Sequence, residues 1–110
     1  MPVNGRNKGK VGERELAKEL SSIFEVECRQ GQQYSGIHGR DVVGLEGIHI
    51  ECKRVEKLNI YEATEQAKRD AKDAIPAVFH RKNGKPWLVT VELSDLLRFA
   101  GQVIKIKEKQ

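Results

Sequence analysis

The combination of residues with the clearest chemical potential is an aspartate, Asp41, followed ten positions later by the triplet Glu51-Cys52-Lys53. The intervening Leu45-Glu46-Gly47 is typical of a turn between two β-strands, because Gly47 can adopt a positive φ at little cost. Two carboxylates brought together by such a hairpin are hard oxygen ligands that suit Mg²⁺, which binds one or two carboxylates and retains several waters. A nearby lysine can orient a water molecule or stabilise charge on a phosphate.

The pairing of the two strands decides whether these groups meet. If Gly44 pairs with Ile48, Asp41 lies opposite Glu51, and cross-strand side chains on one face are about 5 Å apart. The two-residue period of a strand then puts Glu51 and Lys53 on one face. The other face carries Ile48, Ile50 and Cys52. Acids and lysines on the outer face of a hairpin also commonly form a merely solvated surface, and the spacing alone leaves both interpretations open.

A helix is predicted over residues 11–24, just before the first strand. Its apolar stripe consists of Leu16, Leu20 and Ile23, with Ala17 and Phe24 beside it. Glu13 continues this stripe and is therefore expected to point inward. An acid in that place is either a first-turn partner of the helix dipole or a functional group.

The remaining elements complete a small sheet with helices around it. A second helix is expected from Asn59, a good N-cap, to Ile75, with Pro76 ending it and with a small-residue face of Ala63, Ala67, Ala71 and Ala74. Strands are expected at 25–29, 77–80 and 87–91, the last two joined by a turn at 83–84. Ser94 is expected to cap a short last helix, 95–100, that Gly101 stops. The predicted order is α-β-β-β-α-β-β-α.

Composition indicates one small domain that meets a polyanion. The chain has 110 residues, a net charge of +4 and a pI near 9.2, and this length supports one modest core. Without an apolar run of about 18 residues or an apolar signal segment, we expect no membrane contact and a cytosolic location. Cys28 and Cys52 match no zinc spacing and are expected to be reduced. Basic residues gather at 6–14, 53–57, 81–85 and 105–109, which favours a polyanion held around a metal site.

At this point the sequence resembles a known superfamily. Asp41 with Glu51-Cys52-Lys53 is similar to the core motif of the PD-(D/E)xK nucleases, and the element order resembles their αβββαβ, restriction-endonuclease-like core. The segment Lys8-Gly9-Lys10-Val11-Gly12-Glu13-Arg14-Glu15-Leu16 resembles the N-terminal signature of archaeal-type Holliday junction resolvases. The resemblance covers roughly residues 8–100. It departs from the superfamily pattern at Arg40, where proline usually precedes the aspartate.

The resemblance implies a role for each matching residue. Asp41 and Glu51 would bind the metal together with the backbone carbonyl of Cys52, Glu13 would support the metal, and Lys53 would be the catalytic lysine. Ser35 matches a loop serine near the scissile phosphate. The implied DNA-binding residues are Lys8, Lys10, Arg14, Arg29, Arg40, Arg54 and Gln66. The implied organisation is a flexible basic arm at 1–10 and a nuclease domain at 11–110.

The activity implied is Mg²⁺-dependent hydrolysis of DNA at a four-way junction, with Mn²⁺ expected to substitute. Paired symmetric cuts require two active sites, so the resemblance also implies a homodimer, and a viral origin would place the protein in the host cytoplasm. Two alternatives stay open. One is another nuclease of the same superfamily, such as a nicking, flap or restriction-type enzyme. The other is a non-catalytic nucleic-acid-binding module on the same scaffold.

Overall fold

The structure, a computed structural model, describes residues 5–31 and 41–109, with side chains from residue 9 onward. The helices are α1 (Gly5–Phe24), α2 (Ile60–Ala71) and α3 (Leu96–Glu108), and a single 3₁₀ turn, Leu93–Asp95, precedes α3. The strands are β1 (Arg29–Gln30), β2 (Val42–Val43), β3 (Ile48–Arg54), β4 (Ile75–Arg81) and β5 (Leu88–Thr90). The predicted order of elements and the small α/β domain are confirmed.

The five strands form one mixed sheet in the order β1-β2-β3-β4-β5. Only β3 and β4 are parallel, and α2 makes the crossover between them, as parallel neighbours require. The other neighbouring pairs are antiparallel. The sheet is therefore centred on β3, the strand that carries the Glu-x-Lys triplet.

The pairing of β2 with β3 is the predicted one. Val42 pairs with Ile50, and the same register places Gly44 opposite Ile48 and Asp41 opposite Glu51. Gly47 adopts a φ of +79° in the turn, and the Ile48 N–H donates to the Leu45 carbonyl at 3.2 Å. A one-residue slip would move every side chain of β3 to the other face, so this register places the acids together.

The apolar core lies mainly between α1, α3 and one face of the sheet. It joins Leu16, Ala17, Leu20 and Phe24 of α1 to Ile48, Ile50, Ala77, Phe79 and Ile106. On the other face, α2 approaches through its small residues Ala63 and Ala67, which pack against Val78. The predicted small-residue face of α2 is thus confirmed for Ala63, Ala67 and Ala71. On α1, the prediction that Ile23 belongs to the buried stripe was wrong, because Ile23 is 56% exposed.

Several predicted boundaries were wrong. The first helix begins at Gly5 instead of residue 11, so residues 5–10 of the predicted arm are helical. The first strand is Arg29–Gln30 instead of 25–29.

Asn59 does cap α2, and its side chain accepts from the Glu62 N–H at 3.1 Å. However, α2 ends at Ala71, and Pro76 lies inside β4. The strand tolerates this proline because the Ile75 N–H already donates to Gly47, and β5 pairs with β4 only from Val78 onward.

The last helix is also longer than predicted. Helix α3 continues through Gly101 to Glu108, and Ser94 does not cap it. Burial of Ile106, which is 5% exposed, favours continuing the helix by more than the roughly 1 kcal/mol that a mid-helix glycine costs. Within the described ranges, none of the helices has the length and apolar character needed to cross a membrane.

Candidate metal and nucleic-acid site

The polar face of β3 is buried, not solvated. Glu51 is 2% exposed and His49 is 2% exposed, because α2 covers this face of the strand. The His49 ring Nε2 lies 3.0 Å from Glu51 Oε1, and Lys53 Nζ lies 3.6 Å from Glu51 Oε2. A buried carboxylate requires such partners, since desolvation of an unpaired charge is costly. This burial argues against the interpretation of the hairpin as a solvated surface.

Asp41 lies at the end of β2, across from Glu51. Its Oδ2 accepts a hydrogen bond of 2.8 Å from the Cys52 N–H. Burial raises the pKa of Asp41 to about 7, and the neighbouring charges of Glu51 and Glu13 act in the same direction, against the lowering effects of the Cys52 N–H and Lys53. Carboxylates therefore outnumber the cations around Asp41, which is an electrostatic environment that a divalent cation would relieve.

Glu13 approaches this group from α1, as the resemblance requires, but it is held at a distance. Gln30 of β1 donates from Nε2 to Glu13 Oε1 at 2.8 Å. The ligand atoms of Glu13, Asp41 and Glu51 do not all come within 4.8 Å of one another. Glu13 is thus placed to act through the electrostatics or the water shell of a site whose nearest carboxylates are Asp41 and Glu51. We call Glu13, Asp41, Glu51 and Lys53 the acidic cluster.

Lys53 is positioned by a residue for which the sequence predicted another role. Gln66, predicted to contact DNA, accepts a hydrogen bond of 3.0 Å from Lys53 Nζ through its Oε1. Gln66 lies on the half-buried face of α2, above β3. Its contact is therefore with the lysine, whose side chain is 26% exposed, and it orients the ammonium group beside Glu51.

Cys52 contributes its backbone and not its thiol. The N–H and C=O of one strand residue point to the same side, and the Cys52 N–H points to Asp41, so its carbonyl lies on that side too. The thiol packs against the apolar core, and the pKa of Cys52 is raised by burial and by the nearby carboxylates. Both cysteines are free, as predicted, and the Cys52 thiol remains protonated and unreactive.

The predicted DNA-binding residues differ in their surroundings. Lys10, Arg14 and Arg29 are exposed, which leaves them available to phosphates. Lys8 is part of α1, but its side chain is not among those described, and Ser35 and Arg40 lie outside the described residues. Arg54 is half-buried and paired with Glu15, and its contact with DNA stays a prediction.

Arg54 belongs to a second charged group that the sequence did not indicate. Glu15 Oε1 accepts from Arg54 Nε at 3.3 Å and from Arg81 Nη1 at 2.6 Å. The guanidinium of Arg81 also lies 5.9 Å from the centre of the Trp87 ring. Gly12 gives Arg54 room, since a Cβ at Gly12 would lie 2.8 Å from Arg54 Cβ. We call Glu15, Arg54 and Arg81 the arginine cluster, in which two cations share one carboxylate.

Sequence reasoning also missed the surroundings of two histidines and an aspartate. His49 lies on the Glu51 face of β3, as strand alternation requires, and it is buried beside Glu51. His80 is half-buried, with Nε2 2.9 Å from Thr90 Oγ1. Among the described residues, the set whose ligand atoms do all lie within 4.8 Å of one another is His49, Glu51 and Asp70. The four-residue spacing of Gln66 and Asp70 on α2 was the available signal.

The donor set near Asp41 fits a magnesium ion. Two carboxylates and a backbone carbonyl are oxygen ligands of the kind that Mg²⁺ binds while keeping several waters. The excess of negative charge around Asp41 favours a dication at this place. Asp41, Glu51 and the Cys52 carbonyl are the groups that would hold it.

Comparisons of the chain with protein-family models, with curated proteins and with solved structures found no significant match. The resemblance to junction resolvases consequently remains a prediction from motifs.

Proposed function

We propose that this protein is a metal-dependent DNA endonuclease that uses Mg²⁺ and acts on four-way junctions. The observation that supports this most directly is the pairing of β2 with β3. It sets Asp41 opposite Glu51, while Lys53 Nζ lies 3.6 Å from Glu51 Oε2 on the same face. A module that only binds nucleic acid gains nothing from buried acids next to phosphates, because they repel the ligand.

The residues divide the chemistry among themselves. Asp41 and Glu51 would hold the metal, and Mg²⁺ when bound would neutralise charge on the scissile phosphate and lower the pKa of a water molecule. Lys53, fixed by Gln66, places a positive charge where the pentacovalent phosphate becomes more negative. Glu13 adds negative charge that strengthens retention of a cation.

Attraction for DNA is assigned to the cations around the acidic cluster. Lys10 and Arg14 are exposed on α1, and Arg29 is exposed on β1. Contacts of these residues with phosphates carry no sequence information and depend strongly on salt. Such binding suits a nuclease that recognises the shape of DNA, and the choice of a four-way junction as substrate rests on the N-terminal motif.

The same substrate implies a homodimer, since two strands must be cut at a fixed separation. Among the larger apolar residues, Phe79 is buried at 6% exposure, and Trp87 and Phe99 pack against the core, whereas Leu97 is 85% exposed. Tyr61 and Leu93, 84% and 85% exposed, line one groove between α2 and the end of β5. Apolar groups gathered in this way are common at protein interfaces, and light scattering on the purified protein would measure the assembly.

The deciding experiment is cleavage of a labelled immobile four-way junction beside a duplex of matched sequence, with Mg²⁺, with Mn²⁺ and with EDTA. We expect paired symmetric nicks in the junction, no cuts in the duplex and no activity in EDTA. Equal cutting of the duplex would retain the nuclease and reject the junction. Tight binding without cleavage under any metal would instead favour the non-catalytic binding module.

A further inference from the structure

The buried histidine beside Glu51 retains an unused nitrogen. His49 contacts Glu51 through Nε2 at 3.0 Å, while its Nδ1 is buried and has no hydrogen-bond partner in the part of the chain that the structure describes. A buried polar atom without a partner lowers the stability of the fold, which favours a ligand that would satisfy it. A neutral imidazole nitrogen is also a common ligand of transition-metal ions and zinc.

Asp70 supplies a third group from a different element. It lies on α2, one turn beyond Gln66, and the ligand atoms of His49, Glu51 and Asp70 are all within 4.8 Å of one another. Ligands bound to one ion at about 2.1 Å are at most about 4.2 Å apart. Small side-chain rotations therefore suffice to bring the three groups onto a common ion. The Asp70 carboxylate makes no hydrogen bond or ion pair with the described residues.

We propose that His49, Glu51 and Asp70 form a site for a divalent ion of the zinc class, separate from the magnesium position beside Asp41. One imidazole nitrogen and two carboxylate oxygens are a ligand set that Zn²⁺ accepts. Magnesium prefers oxygen ligands alone and dehydrates reluctantly. The mixed set thus selects against the ion that the proposed nuclease chemistry needs.

The two oxygens of Glu51 allow it to serve both positions. Oε1 faces His49 and Oε2 faces Lys53, so the proposed zinc-class site lies on the side of the carboxylate away from the lysine. Asp70 is half-buried, whereas His49 and Glu51 are buried. Asp70 therefore forms the solvent side of the site and the route by which an ion enters. The proposal goes beyond the proposed function and stands without it, because binding and not cleavage is measured.

The test is metal binding by the full chain after removal of metals with a chelator. Co²⁺ serves as a probe through its visible absorption, and Zn²⁺ is then measured in competition with a chromophoric chelator. Asp70→Asn and His49→Gln are each expected to weaken Zn²⁺ binding at least about tenfold, the lower end of what perturbing a metal site costs. Asp73→Asn and His80→Gln change an aspartate and a histidine outside the proposed zinc-class site, and they are expected to leave Zn²⁺ binding unchanged.

Asp70→Asn is the decisive variant, because Asp70 is not part of the core and its replacement should not affect folding. Unchanged Zn²⁺ affinity in that variant would overturn the proposal, as would the absence of saturable binding of one ion per chain. Loss of Zn²⁺ binding in Asp41→Asn with full binding in Asp70→Asn would place the ion beside Asp41 and also overturn it. If junctions are never cut but Zn²⁺ binding depends on Asp70, the proposed function fails and this inference stands.

Discussion

The acidic cluster and the arginine cluster are built from neighbouring residues and have opposite charge balances. Glu13 and Glu15 are close along α1, and Lys53 and Arg54 are adjacent in β3. In the acidic cluster three carboxylates face one lysine, and the Glu51 side chain is 3% exposed. In the arginine cluster two guanidinium groups share Glu15, whose side chain is 32% exposed.

This difference shows what each cluster lacks. The acidic cluster is buried and its one lysine does not balance its three carboxylates. A bound cation would therefore stabilise it, and an approaching phosphate would be repelled. The arginine cluster has one more positive charge than Glu15 neutralises, and guanidinium groups bind phosphates in a bidentate manner. One region is therefore suited to hold metal, and the other is suited to meet the anionic backbone of DNA next to it.

Removing a carboxylate from the acidic cluster should give the largest effect. Asp41→Asn or Glu51→Gln should lower junction cleavage by about a hundred- to a thousandfold, since loss of a single charge-stabilising donor in other enzymes costs about 10²–10³. Junction binding in EDTA should be unchanged or tighter, because a charge that repels phosphate is gone. Cleavage assays and fluorescence anisotropy measure the two quantities.

The control is Glu65→Gln, which removes an exposed carboxylate from α2 without touching the cluster. It should cleave like the original protein. Full activity in both Asp41→Asn and Glu51→Gln would refute the assignment of the acidic cluster to metal binding and make the two clusters functionally alike.

The pH dependence of stability should show the next largest difference between the two clusters. Asp41 has its pKa raised to about 7, above the unfolded value of about 3.9, so the folded chain binds more protons between pH 4 and pH 7. Its stability in EDTA should therefore fall as pH rises through that window, by about 2–4 kcal/mol if Asp41 acted alone. Asp41→Asn, whose amide can still accept from the Cys52 N–H, should lack most of this fall.

Urea unfolding at pH 4 and pH 8 measures this effect. At pH 8 the Asn variant should be the more stable protein, and at pH 4 the difference should be small. Asp73→Asn, at an exposed position after α2, should follow the unaltered protein at both pH values. Equal pH profiles for the unaltered protein and Asp41→Asn would show that burial and the neighbouring carboxylates do not raise the pKa of Asp41.

The parts of the acidic cluster that arise from local pattern could be predicted. The register of β2 and β3 follows from alternation in β3 and from the turn at Gly47, because a slip would bury the wrong face. The inward direction of Glu13 follows from its place in the stripe of α1. These inferences need only the periods of a strand and a helix.

Contacts between distant elements could not be predicted in the same way. Asp70 meets His49 only because α2 lies over β3, and Arg81 meets Glu15 only because the end of β4 reaches α1. The length of α3 was missed for a related reason, since burial of Ile106 against the core outweighs the local preference of Gly101. Tertiary packing, which no local period encodes, decides all three.

A smaller effect tests how far the acidic cluster depends on α2. Gln66→Ala removes the acceptor of Lys53 and should lower kcat for junction cleavage about tenfold, with KM nearly unchanged, since Gln66 acts through the lysine. Gln66→Glu keeps an acceptor and should recover most of kcat, while its added charge raises KM. A rise in KM alone for Gln66→Ala would instead support the DNA contact predicted from sequence.

The smallest effect concerns the arginine cluster and decides whether its spare positive charge is used. Glu15→Gln should free Arg54 and Arg81 for phosphate and tighten junction binding about three- to tenfold, with a salt dependence steeper by about one phosphate contact. Stability should fall by no more than about 1 kcal/mol, as this ion pair is partly exposed. Glu19→Gln, an exposed position on α1 without an ion pair to the described residues, changes the net charge equally. If both variants bind with the same gain, the effect comes from net charge, and the arginine cluster is a structural ion pair with no part in binding DNA.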